Sequence, residues 1–273
     1  MRTRRIPISG EALPVIGLGT YQVFDVARTR ENIEARRAIV ELMIEKGARL
    51  LDSSPMYNRA EDMIGDVINS SRSREQLFLA TKVWEDGKAA GEQQMRESAE
   101  RMKTDVIDLM QVHNLRDTDE HLATIRDWQE EGRIRYNGVT HYHAGGLRDL
   151  EAVMKNQKPE FIQINYSVGE READRRVLPL AEELGIAVLV NRPFVQGRLF
   201  HAVKGLPLPE WAGEFADSWG QLFLKFIISH PAVNCVIPGT SKLHHMMDNL
   251  GAGLGPLPDD GTRQRIVDTV DAL

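Results

Sequence analysis

"LLDSSPMYNRAEDMIG", residues 50–65, runs a short apolar segment into Asp52, places Tyr57 five positions later, and then opens a helix. A strand that ends in polar residues just before a helix begins is half of a βα unit. The same rhythm extends in both directions. Continuous β-rich runs occur at 15–19, 49–52, 77–82, 106–112, 135–140, 161–164, 187–190 and 234–237. Runs of this kind suit parallel strands covered on both faces. Between them lie stretches with helical spacing. In 30–47, Ile33, Arg37, Val40 and Ile44 fall three and four residues apart, and Gly47 ends the pattern. Further helices are expected at 60–69, 89–103, 119–131, 146–156, 172–184, 214–229, 242–250 and 261–272.

Eight alternating units predict a single (β/α)8 barrel over residues 1–273. A doubly wound sheet also alternates. With no Pro/Gly/Ser linker and no break in composition, closure into one barrel is favoured. The longest irregular segment, 192–212, follows the seventh strand, where long loops often cover an active site.

Composition narrows the function. With 42% apolar and 27% charged residues, the chain reads as a soluble globular protein with a sizeable core. A net charge of −6, with both signs interspersed, offers no surface for nucleic acid or anionic membrane. The opening MRTRR is basic, but the residues after it lack the unbroken apolar core of a signal peptide. No run reaches the length of a membrane span. The single cysteine, Cys235, rules out an internal disulfide and paired-thiolate zinc sites. A cytoplasmic location is expected. The sequence carries no signal for oligomeric state.

In a barrel of this kind the C-terminal strand ends surround one mouth. Asp52 ends the second strand, Tyr57 lies in its loop, Lys82 ends the third in "FLATKVW", and His113 ends the fourth in "VIDLMQVHN". Each has an ordinary explanation alone: a turn-capping Asp, a rim Tyr, a packed His. A lysine closing a buried strand needs a partner. Together the four suit carbonyl reduction. Hydride arriving at a carbonyl carbon leaves an alkoxide that needs a proton. A free phenol, with a pKa of about 10, donates weakly near neutrality. A Lys82 ammonium beside Tyr57 is expected to lower that pKa, Asp52 to orient Lys82, and His113 to hold the carbonyl oxygen.

The chain resembles the aldo-keto reductase family over nearly its whole length. The likeness runs from "GLGTYQV" through "LDSSPMYNRAEDMIG", "ATKVW", "DLMQVHN", "GVTHYH" and "QINYS" to "IPGTSKLHHMMDNL". It implies a TIM barrel, a catalytic set of Asp52, Tyr57, Lys82 and His113, and NADPH bound without a Rossmann domain, with NADH also possible. It places the cofactor on Gly19, Thr20, Asp52, Thr140, His141, Gln163, Asn191, Arg192, Pro193, Pro238, Gly239, Thr240, Ser241, Lys242, His245, Asp248 and Asn249. Barrel geometry separately puts phosphate at the loops after strands seven and eight and at a helix N-terminus, which "IPGTSKLHHMMDN" fits.

Several positions depart from the family pattern. Gly239 and His245 stand where a lysine and an arginine often grip the 2′-phosphate, with Lys242 as a substitute. Thr140 and His141 replace a Ser-Asn pair at the carboxamide, ahead of Gln163. Asn191 stands where a tyrosine commonly stacks on the nicotinamide, and Arg192 could cover the ring or reach the pyrophosphate. Tyr21, Phe24 and Trp84, with His113, are expected to wall a pocket for a small carbonyl substrate.

His113 with His141 and His143 could imitate a three-histidine metal site, but no acidic ligand follows on the last strand, so no metal is expected. Lys82 as a Schiff-base lysine conflicts with an Asp52 partner that keeps it protonated. "GLGTYQ" lacks a third glycine and "GAGLGP" follows a helix, so neither is a Rossmann fingerprint. The remaining alternative is a cofactor-binding regulatory subunit with little turnover.

Overall fold

The computed structural model describes residues 1–71 and 73–273. Eight parallel strands pair in sequence order: β3 (Leu18–Gly19), β4 (Leu50–Asp52), β5 (Phe78–Val83), β6 (Ile107–His113), β7 (Ile134–Thr140), β8 (Phe161–Asn165), β9 (Ala187–Asn191) and β10 (Val233–Val236). They follow an antiparallel pair, β1 (Thr3–Arg5) and β2 (Ala12–Pro14).

Closure separates a barrel from an open sheet. Ile16, just ahead of β3, bridges Val236 in parallel. Gly17 N–H donates to Val236 O and Val236 N–H to Val15 O, both at 2.9 Å. The first and last strands therefore satisfy each other's backbone, and the sheet has no free edge.

The helices are α1 (Arg30–Glu45), α2 (Ala60–Ser71), α3 (Lys88–Arg101), α4 (Thr118–Glu130), α5 (Leu147–Gln157), α6 (Val177–Leu184), α7 (Arg198–Ala202), α8 (Trp219–Ser229), α9 (Leu243–Gly251) and α10 (Asp260–Asp271). Their apolar faces and the outward residues of the strands form one buried layer. A smaller cluster fills the barrel interior, including Leu50, Phe78, Leu109, Phe161 and Cys235. Ile6 and Leu13, from the β1–β2 hairpin, belong to this inner cluster. The hairpin thus plugs the end where the strands begin, and the opposite end is left for chemistry.

Three features differ from the sequence expectations. The hairpin was not foreseen, because three-residue strands carry almost no periodic signal. The helix expected at 172–184 is a 3₁₀ turn, Glu172–Arg175, followed by α6. Pro179 explains the break: it has no N–H for the carbonyl four residues back, and a start at Val177 puts it in the first turn, where that N–H is not needed. Helix α8 begins at Trp219 rather than near 214, because Ser218 caps it by accepting the Gln221 N–H at 3.0 Å. Among the described residues no helix is long and apolar enough to cross a membrane.

Candidate active site

Strand register brings the chemistry together. Gly19 pairs with Asp52, Lys82 with Gln111, His113 with Thr140, and Thr140 with Gln163. All of these residues lie at the middle or in the C-terminal half of their strands, so their side chains meet at one mouth. That mouth opens into a cleft of ≈ 860 Å³, lined among others by Tyr57, His113, Tyr21, Asn191 and Arg192.

At its floor Lys82 Nζ donates to Asp52 Oδ2 at 2.7 Å and to Ser53 O at 2.6 Å. Both side chains of the ion pair are withdrawn from water. The other carboxylate oxygen, Asp52 Oδ1, accepts from Gln163 Nε2 at 2.7 Å and Gln111 Nε2 at 3.2 Å. The buried charges are therefore paired and hydrogen-bonded, the condition under which burial is tolerated. Burial disfavours the ammonium, yet Asp52, followed by Tyr57, holds the Lys82 pKa above that of an ordinary amine.

Lys82 Nζ lies 5.1 Å from the centre of the Tyr57 ring. The charge of each group influences the ionisation of the other. Burial pushes the phenol up; Lys82 pulls it down and Asp52 pushes it up again, leaving it above its ordinary pKa. This corrects the expectation of a net lowering. The ammonium acts in the expected direction, but desolvation of the phenolate outweighs it.

His113 stands edge-on to Tyr57, ring centres 6.2 Å apart. Burial, then the Lys82 charge and His141, lower its pKa to about 3, so the imidazole is neutral at physiological pH. Its Nδ1 is 3.2 Å from Ser54 Oγ.

Other expected residues divide into those that reach the cleft and those that do not. Gly19, Thr20, Asp52, Thr140, Gln163, Asn191, Arg192, Pro193 and Gly239 line it. Gly19 and Gly239 are needed for close approach: a Cβ on Gly239 would come 3.2 Å from Gly19 O, and one on Gly19 would come 2.8 Å from Ile237 O. Asn191 Oδ1 and Arg192 Nε are buried without a partner among the described residues. Thr240, Ser241, Lys242 and His245 form the turn and first residues of α9, beyond the cleft lining, as do Pro238 before them and Asp248 and Asn249 after. Helix α9 begins with no side-chain cap and no acidic residue in its first turn, so its leading N–H groups stay available. The Asp248 carboxylate is engaged, accepting from Ser218 Oγ at 2.7 Å and Gln221 Nε2 at 2.9 Å.

His141 does not line the cleft; its Nδ1 accepts the Tyr142 N–H at 3.1 Å, which turns the ring back on its own loop. Tyr142 lines it instead, with the Arg192 Nη1 donating to Tyr142 O at 3.0 Å across the opening. Phe24 is fully buried in the layer under the helices and walls nothing. Trp84 is outside the lining and leans on His113, ring centres 6.4 Å apart. Tyr21 remains, exposed and edge-on to Tyr57 at 5.0 Å. Sequence reasoning missed Tyr142, Phe194, Phe200, Ser54 and Gln111. Gln111 was within reach: two residues before His113 on one strand, its side chain must point the same way.

A family model described as "Aldo/keto reductase family" matches residues 15–265. The chain belongs to the aldo/keto reductase family. Among curated members, it is 28% identical over 259 residues to the methylglyoxal reductase YeaE of Escherichia coli, covering 91% of this chain and 89% of that one. It is 25% identical over 274 residues to the glyoxal reductase of Bacillus subtilis, covering 97% and 90%. Among solved aldo-keto reductase structures, one from Klebsiella pneumoniae in complex with NADPH superposes with a TM-score of 0.80 at 24% identity, over 99% of this chain and 95% of that one. The holo form of AKR11C1 from Bacillus halodurans gives 0.79 at 23%, over 99% and 96%. At these identities the structural likeness speaks for the fold.

Proposed function

We propose that this aldo/keto reductase, acting as one barrel over 1–273, reduces aldehyde or ketone carbonyls to alcohols, reversibly and with NADPH as donor, NADH being the weaker possibility. The observation that carries the reading is a fully buried Lys82–Asp52 pair set beside a protonated phenol and a neutral imidazole in one cleft.

Tyr57 is the proton donor. Its raised pKa keeps it protonated at neutral pH, and Lys82 stabilises the phenolate that remains once the proton has passed to the substrate oxygen. Asp52 keeps Lys82 charged and aimed. His113 donates to the carbonyl oxygen and fixes its direction. Tyr21 forms an aromatic wall beside Tyr57.

The cofactor supplies the hydride when bound, and the reading needs no metal ion. The residues fit such a dinucleotide on two counts: the uncapped start of α9 suits phosphate, and two buried polar atoms, Asn191 Oδ1 and Arg192 Nε, have no partner among the described residues. Thr140, Gln163 and Asn191 would hold the nicotinamide end, with His141 close by. Thr20, Arg192 and Pro193 would follow the pyrophosphate, and Pro238, Gly239, Thr240, Ser241, Lys242, His245, Asp248 and Asn249 the adenosine phosphate end.

Two relatives are named for methylglyoxal and glyoxal reduction, so short 2-oxoaldehydes are the first substrates to try. The test follows NADPH absorbance with methylglyoxal and with a small aromatic aldehyde. Saturable oxidation is expected. Tight cofactor binding with no turnover on any aldehyde would sink the proposal.

A further inference from the structure

We infer that Ser54 is a positioning residue which, through a donated hydrogen bond, fixes His113 as the tautomer carrying its proton on Nε2. The consequence for carbonyl orientation rests on the function proposed above; the tautomer assignment does not.

The inference follows from counting donors and acceptors. Ser54 lies two residues beyond Asp52 and is fully buried. Its hydroxyl has one proton to give and two lone pairs. The Met56 N–H donates to Ser54 Oγ at 3.2 Å, which uses one lone pair. Among the described residues, the only other partner of that oxygen is His113 Nδ1, at 3.2 Å. If Nδ1 carried the proton, the hydroxyl would receive two N–H bonds and its own proton would have no acceptor, in a place water does not reach. A buried donor left unpaired is strongly disfavoured. With the hydroxyl donating to Nδ1, every group in the set is satisfied.

A doubly protonated ring is excluded by its surroundings. Burial and the Lys82 ammonium keep His113 neutral, so it has one N–H to place. That N–H is then on Nε2, for which no partner exists among the described residues. His113 lines the cleft, so the free donor serves the cleft. A carbonyl oxygen only accepts, so an Nε2–H attracts it, whereas the lone pair of the other tautomer would repel it. The same turn ties this device to the proton donor, because the Tyr57 N–H donates to Ser54 O at 3.0 Å.

The test reads the tautomer directly. Long-range ¹H–¹⁵N spectra of the ¹⁵N-labelled, substrate-free protein report which ring nitrogen is protonated, with His113→Gln assigning the signal. The wild type should show a protonated Nε2 and a bare Nδ1. Ser54→Ala should move both shifts toward a tautomer mixture and lower kcat/KM on the order of tenfold, the cost of one hydrogen bond, mostly through kcat. Ser54→Thr, which keeps the hydroxyl, should restore the wild-type pattern. A wild-type spectrum with the proton on Nδ1, or shifts that do not move in Ser54→Ala, would overturn the inference. The predicted tautomer, lost in Ser54→Ala while kcat/KM stays level, would support the inference and instead remove His113 from the proposed carbonyl contact.

Discussion

Lys82 Nζ and Asp52 Oδ2 lie 2.7 Å apart with side chains only 1% and 3% exposed, so the two charges have each other and almost no water. Removing one partner strands the other. Asp52→Asn is expected to destabilise the fold by about 3–5 kcal/mol, measured by urea unfolding at pH 7. Replacing both charges, as in Asp52→Asn with Lys82→Met, should recover part of that loss. The pair's contribution should also be level across neutral pH. Lys82 is held above the ordinary amine pKa of 10.5, so its stabilising effect is complete below that value and fades only as pH rises through the higher, folded pKa. A variant as stable as the wild type would mean that the pair is solvated.

Tyr57→Phe removes a hydroxyl and leaves the aromatic packing against Tyr21 and His113 in place. If the phenol gives the proton, turnover should fall at least about a hundredfold, the lower end for loss of a general acid. Cofactor affinity, read by fluorescence titration, should barely change. Near-normal turnover would reassign the donor.

How much of this was legible before folding can be argued from single residues. Asp52 and His113 each end a strand and Lys82 is the next-to-last residue of another, and parallel strands in a barrel end at one mouth, so their meeting follows from topology alone. Gln163 was read as a cofactor residue and lines the cleft; that its amide nitrogen also donates to Asp52 Oδ1 depends on a cross-barrel register no local pattern encodes. Phe24 misled because an aromatic near a glycine-rich strand end fits a pocket wall and a core position equally well; one turn of backbone decides. Tyr142 and not His141 lines the cleft for a related reason, since the loop after β7 folds the histidine onto its own backbone. The hairpin β1–β2 was invisible because its pairing, not its periodicity, makes it a plug.

The His113 pKa, lowered to about 3 from an ordinary 6.5, makes acid a selective stress. Between those values the unfolded chain binds a proton that the folded site refuses, so stability is complete above about pH 6.5 and falls as pH drops toward 3. From pH 7 to pH 5 this one group accounts for up to about 2 kcal/mol. Urea unfolding at pH 7, 6 and 5 should therefore show a shallower acid loss for His113→Gln than for the wild type. Parallel pH profiles would show that His113 titrates in the folded state much as it does in the unfolded one.

Tyr21 and Phe24 separate the cleft, proposed to hold the substrate, from the core. Tyr21 is 55% exposed, lines the cleft and meets the Tyr57 ring edge-on at 5.0 Å. Tyr21→Ala should raise KM for an aromatic aldehyde, on the order of tenfold for an aromatic contact worth about 1–1.5 kcal/mol. Its unfolding midpoint should stay close to the wild type, because little buried surface is lost. Phe24, three positions on, has no exposed surface at all. Phe24→Ala removes packing atoms and leaves a cavity, so it should cost about 3–5 kcal/mol of stability. Where that protein remains folded, KM should stay near the wild-type value. The two substitutions should thus move different observables. A large KM effect from Phe24→Ala without loss of stability would place the ring in the cleft and reverse the assignment of that wall.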